Sequence, residues 1–293
     1  LRRAFGEVQA VDHVTFTAPH GAVTALIGPN GSGKTTLLLI LAGLLRPDAG
    51  QACVGGHGLN DGAALRSQVG WMPDVFGTWD SLSCLEVLTT FAEAYGVYGG
   101  AARSRADELL ESVHLTAFAR RPARVLSRGQ RQRLGFARAL VHDPAVVLLD
   151  EPASGLDPRS RIDLRDMLRG LARDGKTILV SSHVLVELEE VYDHAVFLSR
   201  GRTAEATERS ASPAQRGWRL ASLDPAALRT FLDATHIPWA DAPNGDVVVA
   251  LSGRDSAQEL IRAIVAADVP LHTVAPVSGQ LEEAYLTLDE ERL

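Results

Sequence analysis

The sequence predicts an α/β protein, a mostly parallel sheet with an antiparallel edge, followed by a small α+β module. Three observations predict it. Short apolar runs at Val23–Ile27, Val146–Leu149 and Ile178–Ser181 alternate with helical patterns, as buried parallel strands do. A glycine-rich loop, Gly28–Thr36, lies between the first of these runs and a helix. At residues 206–217 (ATERSASPAQRG) the composition turns small, polar and proline-containing, and a βαββαβ pattern follows. The expected division is a domain over 1–205, a linker over 206–217 and a ferredoxin-like domain over 218–293.

Taken in order, residues 8–27 alternate apolar and polar before becoming solidly apolar, which predicts an edge hairpin feeding a buried strand. A helix runs from about Lys34 to Leu44 and is closed by Arg46-Pro47. Strands are expected near Gln51–Val54 and Val69–Met72, then a mostly helical block from Ser83 to Ala117. The next helix begins near Ser127 and stops before Asp143-Pro144. Beyond the linker come strand Trp218–Ser222, helix Pro225–Thr235 and strand Ile237–Ala240. Pro243-Asn244-Gly245 turns the chain into strand Asp246–Leu251. Helix Ser256–Ala267, strand Leu271–Val274 and a helix near Gln280–Leu288 complete the module.

Composition narrows the class. The chain has 293 residues, 46% of them hydrophobic, and a mean hydropathy of +0.03, which is globular rather than disordered. The longest apolar runs, Val146–Leu149 and Leu37–Leu45, fall short of the ~18–20 residues that span a bilayer. No secretory signal is recognisable, so a cytoplasmic chain is expected, although it opens on Leu1 rather than Met. A net charge of −7 argues against nucleic-acid binding by bulk electrostatics. Cys53 and Cys84 have no metal-ligand spacing and read as buried, reduced side chains.

The chemistry lies in three segments. Gly28-Pro29-Asn30-Gly31-Ser32-Gly33-Lys34-Thr35 fits G-x-x-x-x-G-K-[ST] between strand and helix. Its glycines let backbone N–H groups and the helix N-terminus point at phosphate oxygens. Lys34, one of two lysines in the chain, neutralises the β- and γ-phosphates in this pattern. The Thr35 hydroxyl ligates Mg²⁺, and Thr36 supports a phosphate. Second, Val146–Leu149 ends in Asp150 and Glu151, at the strand edge where α/β proteins bind ligands. Asp150 is suited to hold Mg²⁺ through water, and Glu151 to position or deprotonate an attacking water. Third, Leu126-Ser127-Arg128-Gly129-Gln130 opens a helix, with Ser127 a natural N-cap and the N–H groups beyond it an anion site.

Together these segments resemble the nucleotide-binding subunits of ATP-binding cassette (ABC) transporters, over roughly residues 1–205. The resemblance implies a P-loop NTPase cassette with a RecA-like core, an antiparallel β edge and a helical subdomain. It implies a head-to-tail dimer, of two copies or with a different cassette, that sandwiches ATP and Mg²⁺. Ser127, Gly129 and Gln130 then face the partner's γ-phosphate. By the same resemblance Phe5 stacks on adenine, with a core-edge role as the alternative. Ser154-Gly155-Leu156-Asp157 matches the D-loop that crosses the dimer interface, and His183 the switch histidine on the γ-phosphate. Val75, Phe76 and Trp79 lie where the family docks its membrane-spanning permease, or else belong to the core. The similarity is greatest to the ABC-2 export type, which implies a peripheral subunit on the cytoplasmic face of the membrane.

Two positions depart from the family pattern. Asp74 stands in place of the glutamine that follows the strand Val69–Met72; it can still ligate Mg²⁺ but brings charge towards the γ-phosphate. Arg128 replaces the second glycine of the signature, with its side chain expected to point away from the phosphates. The function expected is ATP hydrolysis that powers export through a separate permease. The alternative is a soluble ABC protein switching on ribosomes or DNA, but those resemble linked cassettes or carry a coiled-coil insertion, and this chain has neither. A non-hydrolysing regulatory cassette is a further alternative, motivated by Asp74 and Arg128.

Overall fold

The computed structural model describes residues 1–75, 77, 81–182, 191–203, 216–235, 237–242, 245–251 and 254–276. Among them, residues 1–203 belong to one compact unit and residues 216–276 to a second.

The first unit is built on a six-stranded sheet. Strands β3 (Val23–Ile27) and β7 (Val146–Leu149) are buried at every residue, which is why each reads as an unbroken apolar run. With β6 (Val69–Met72), β8 (Thr177–Ser182), β9 (His194–Ser199) and β10 (Arg202–Thr203) they form the order β10-β9-β3-β8-β7-β6. Neighbours from β9 to β6 run parallel, and β10 closes the edge antiparallel to β9. The register sets Leu26 beside Ser181 and Ile27 beside Ser182, and pairs Leu149 with Val180 and with Met72. The segments that follow β3, β6 and β7 therefore leave the sheet at one edge, the C-terminal edge where such folds bind ligands.

Helix α1 (Lys34–Leu41) has only eight residues, too few to be stable alone, so its packing must hold it. Leu37, Leu38, Ile40 and Leu41 enter the core with Leu26, Leu148, Leu179 and Val196. Each such side chain contributes roughly 1.5–3 kcal/mol. The phosphate loop is thus tied to the sheet at both ends. Short strands β4 (Cys53–Val54) and β5 (His57–Gly58), then α2 (Ala63–Gln68), lead into β6. Helices α3 (Cys84–Ala94), α4 (Gly99–Ser112) and α5 (Arg128–Ala139) form the helical block. Capping boxes Ser83/Glu86 and Ser127/Gln130 fix where α3 and α5 start.

Several expectations need correction. The hairpin lies earlier than predicted: β1 (Arg2–Phe5) and β2 (Val8–Asp12) pair as a separate two-stranded sheet, while β3 is the buried strand expected, inside the main sheet. Helix α1 stops at Leu41, with Gly43 in the left-handed region (φ +68°) just beyond. Cys53 is exposed while Cys84 is buried, so only the second fits the expectation. Helix α6 (Pro158–Arg173) and strands β9 and β10 were not among the predicted elements. The signal for α6 was present: Asp157 accepts from Arg159 N–H and Ser160 N–H, and Pro158 occupies the first turn.

The second unit has β11 (Arg216–Ser222), α7 (Pro225–Ala234), β12 (Trp239–Asp241), β13 (Val247–Leu251), α8 (Arg254–Ala266) and β14 (Leu271–Pro276). Its sheet order is β12-β13-β11-β14, antiparallel throughout. This is the ferredoxin-like order. Leu220, Leu228, Leu232, Val247, Val249, Leu260 and Ile264 form its core. The predicted helix near Gln280–Leu288 and most of the predicted linker lie outside the described residues.

Candidate functional site

The phosphate loop leaves β3 and closes on α1 through backbone that demands glycine at two places. Gly33 has φ +100°, and a Cβ there would run into the Ala10 carbonyl oxygen. A Cβ on Gly28 would meet the Leu198 carbonyl. The loop is therefore clamped between β2 and the end of β9. Helices α5 and α6 receive side-chain caps, whereas the Gly33 N-cap of α1 supplies none. Its first-turn N–H groups remain donors for an anion. Ser32 Oγ is buried without a hydrogen-bond partner, and Asn30 on the same loop is exposed. A phosphate oxygen would satisfy that hydroxyl.

Lys34 is 6% exposed, and its Nζ donates to the Gly28 carbonyl (2.7 Å) and the Pro29 carbonyl (3.3 Å). Glu151 Oε1 lies 3.7 Å from the same nitrogen. Burial pushes the Lys34 pKa below the usual lysine value, and the carboxylates of Glu151 and Asp150 oppose that shift. The ammonium is thus held inside the loop curve, where a phosphate would replace the carbonyls as its partner.

Asp150 is 1% exposed and fully engaged. Its Oδ2 accepts from Thr35 Oγ1 (2.7 Å) and its Oδ1 from Ser181 Oγ (2.6 Å). Ser181 Oγ in turn accepts the Glu151 N–H (3.0 Å). Ser181 was read from sequence only as part of a strand. The register that sets it beside Asp150 could not be seen there, and its role was missed. Glu151 itself has φ +50°, a left-handed conformation uncommon outside glycine.

Thr35 and Asp150 present hydroxyl and carboxylate oxygens in contact, a donor set that suits Mg²⁺, which takes one or two protein oxygens and completes its shell with phosphates and water. Among the described residues no group of three or more His, Cys, Asp or Glu forms a metal cage. Asp74 is exposed, two residues past Met72, whose carbonyl accepts the Asp150 N–H (2.9 Å). The same strand edge carries it, while Thr35 and Asp150 pair without it.

Ser127 caps α5: its Oγ accepts the Gln130 N–H (3.2 Å), and Gln130 Oε1 accepts the Ser127 N–H (2.9 Å). That cap uses a lone pair of the hydroxyl, so the O–H can still donate outward. Among the described residues no hydrogen bond joins 127–130 to the phosphate loop of the same chain. Arg128 reaches within its own chain, its Nη2 donating to Ser154 Oγ (3.0 Å). Phe5 is 49% exposed, and the Arg3 guanidinium lies 4.8 Å from its ring centroid. Val75 is 81% exposed and so no core residue. His183, Phe76 and Trp79 lie outside the described residues.

Residues 11–154 match the family model described as ABC transporter. Over 306 aligned residues the chain is 32% identical to the daunorubicin resistance ATP-binding protein DrrA3 of Streptomyces coeruleorubidus, covering 99% of this chain and 95% of that protein. The chain belongs to the ABC transporter ATP-binding family. It is an ATPase of the P-loop type. The Nod factor export ATP-binding protein I of Burkholderia orbicola is 36% identical over 80% of this chain and 79% of its own length. YbhF of Escherichia coli, named a probable multidrug ABC transporter ATP-binding protein, is 45% identical over 63% of this chain but only 32% of its own length. An ATP-binding cassette solved as a dimer with ADP and Pi superposes with a TM-score of 0.65 at 28% identity, covering 71% of this cassette chain and 94% of that one.

Proposed function

We propose that this ABC cassette is the subunit that hydrolyses ATP to drive export through a separate membrane permease. The observation that carries the proposal is the convergence of Lys34, Thr35, Asp150 and Glu151 at one sheet edge, in hydrogen-bond or ion-pair contact. The names of the relatives, concerned with drug resistance and Nod factor export, support the export direction. No helix among the described residues is long and apolar enough to cross a membrane, which favours a partner that supplies the channel. The working place of such a subunit is the cytoplasmic face of the membrane.

In this reading the Gly28–Gly33 backbone and the start of α1 bind the β- and γ-phosphates, and Lys34 moves from the loop carbonyls onto them. Thr36 supports a phosphate, and Phe5 offers its exposed ring to adenine. Thr35 and Asp150, with Asp74 in reach of the same edge, would hold Mg²⁺, whose charge screens the phosphates. Glu151 accepts a proton from the attacking water once Lys34 has turned to the phosphates. Ser127, Gly129 and Gln130 donate to the γ-phosphate held by the opposite cassette of a dimer, and His183 contacts the γ-phosphate in its own site.

Steady-state turnover against protein concentration tests this reading. Turnover per subunit that rises with concentration and is lost in Glu151→Gln, with nucleotide binding kept, is the expected result. Wild-type turnover in Glu151→Gln would remove the role given to that carboxylate.

A further inference from the structure

Glu151 occupies a backbone conformation that an ordinary residue adopts at a cost, so neighbouring groups must select it. Its N–H is held by Ser181 Oγ (3.0 Å). Its carbonyl oxygen accepts from the Ser154 N–H (3.1 Å), closing a tight turn over Glu151–Ser154. The same carbonyl accepts from Gln132 Nε2 (3.2 Å), and Gln132 is 7% exposed, a buried amide on the first turns of α5. At the far end of the turn, Arg128 Nη2 donates to Ser154 Oγ (3.0 Å) and its guanidinium covers Gly155. Beside it, Leu156 packs against Gly129. Helix α5 therefore grips both ends of the turn that carries Glu151.

We propose that Gln132 and Arg128 are positioning residues for Glu151: four residues apart on one face of α5, the first holds the carbonyl of this residue and the second holds Ser154, so that the left-handed turn aims the Glu151 carboxylate at the phosphate loop. This rests on the role given to Glu151 above. The grip explains a departure from the family pattern, because a glycine at 128 has no group to reach Ser154. It also gives the buried Gln132 amide a reason to be polar, since a hydrocarbon of equal length would fill the same space without donating.

The test uses the full chain and measures kcat, KM for ATP, the affinity for a fluorescent ATP analogue and the thermal unfolding midpoint. Gln132→Met keeps the length and removes the donor. A fall in kcat of about tenfold, with KM and nucleotide affinity within about twofold of wild type, is expected, since misplacing a catalytic group slows the step without weakening binding. Arg128→Ala and Ser154→Ala should each lower kcat about threefold, and the double variant no more than either alone. Losses that multiply in the double variant, or that fall on KM instead of kcat, overturn the proposal. If Gln132→Met fails to fold, the Arg128/Ser154 cycle decides by itself. Glu151→Gln measured alongside separates the two levels. Full turnover in that variant overturns the role of Glu151, whereas an inactive Glu151→Gln beside unaffected Gln132→Met and Arg128→Ala overturns the grip alone.

Discussion

Replacing Ser181 by alanine should damage this protein far more than loss of one small hydroxyl implies. Ser181 is fully buried, donating to Asp150 Oδ1 at 2.6 Å and accepting the Glu151 N–H at 3.0 Å. Alanine removes a hydrogen bond to a charged group, about 1.5–3 kcal/mol, and strands a backbone N–H, about 1–3 kcal/mol. Asp150 keeps Thr35 on its other oxygen, so the lower part of the combined range applies, about 3 kcal/mol. For a unit of this size that corresponds to roughly 6–12 °C in unfolding midpoint. The assay is thermal and urea unfolding of Ser181→Ala, with Thr24→Val as control. Thr24 lies on the neighbouring β3, equally buried, with a hydroxyl that has no partner, so its removal should be neutral or stabilising. ATP turnover should fall with stability in Ser181→Ala, because Glu151 loses the acceptor of its N–H. A Ser181→Ala protein within about 0.5 kcal/mol of wild type, or a Thr24→Val protein damaged as much, would refute the reasoning.

Other outcomes follow from the same geometry. Gly33→Ala, at φ +100° and against the Ala10 carbonyl, should abolish ATP binding measured by titration; binding within threefold of wild type would contradict the cradle. Burial pushes the His142 pKa down to about 4, where its ring stacks on Tyr95 at 3.7 Å and one ring nitrogen meets the Val69 carbonyl. The unfolded chain takes up that proton first, near 6.5, so stability falls as pH drops from about 6.5 to 4, by on the order of 3 kcal/mol. His142→Gln should flatten urea midpoints across that window, and an unchanged slope would argue against it. Leu232→Ala, at 0% exposure in the core of the second unit, should cost about 2–5 kcal/mol and be seen as faster proteolysis within residues 216–276.

Much of the site was legible because its pieces are local. The phosphate loop needs eight consecutive residues and the backbone freedom of two glycines, so pattern alone located it. Asp150 and Glu151 follow an apolar strand directly, and Ser127 stands as the N-cap where the helical pattern of α5 begins. The buried strands were read correctly because a strand covered on both faces is apolar throughout. The hairpin was placed too late because alternation in residues 8–27 does not say which neighbours pair. Strands β9 and β10 escaped because the six-stranded order depends on long-range partners.

By itself, then, the sequence determined the family and the candidate residues for nucleotide, since these depend on short spacings and on burial of each element. Tertiary structure alone decided that Ser181 braces Asp150 and Glu151, that Gln132 and Arg128 hold the turn between them, and that Lys34 rests on loop carbonyls. Those contacts join residues 19 to 31 positions apart, or fold a side chain back on its own loop. They exist only once strand register has brought β7, β8 and α5 together.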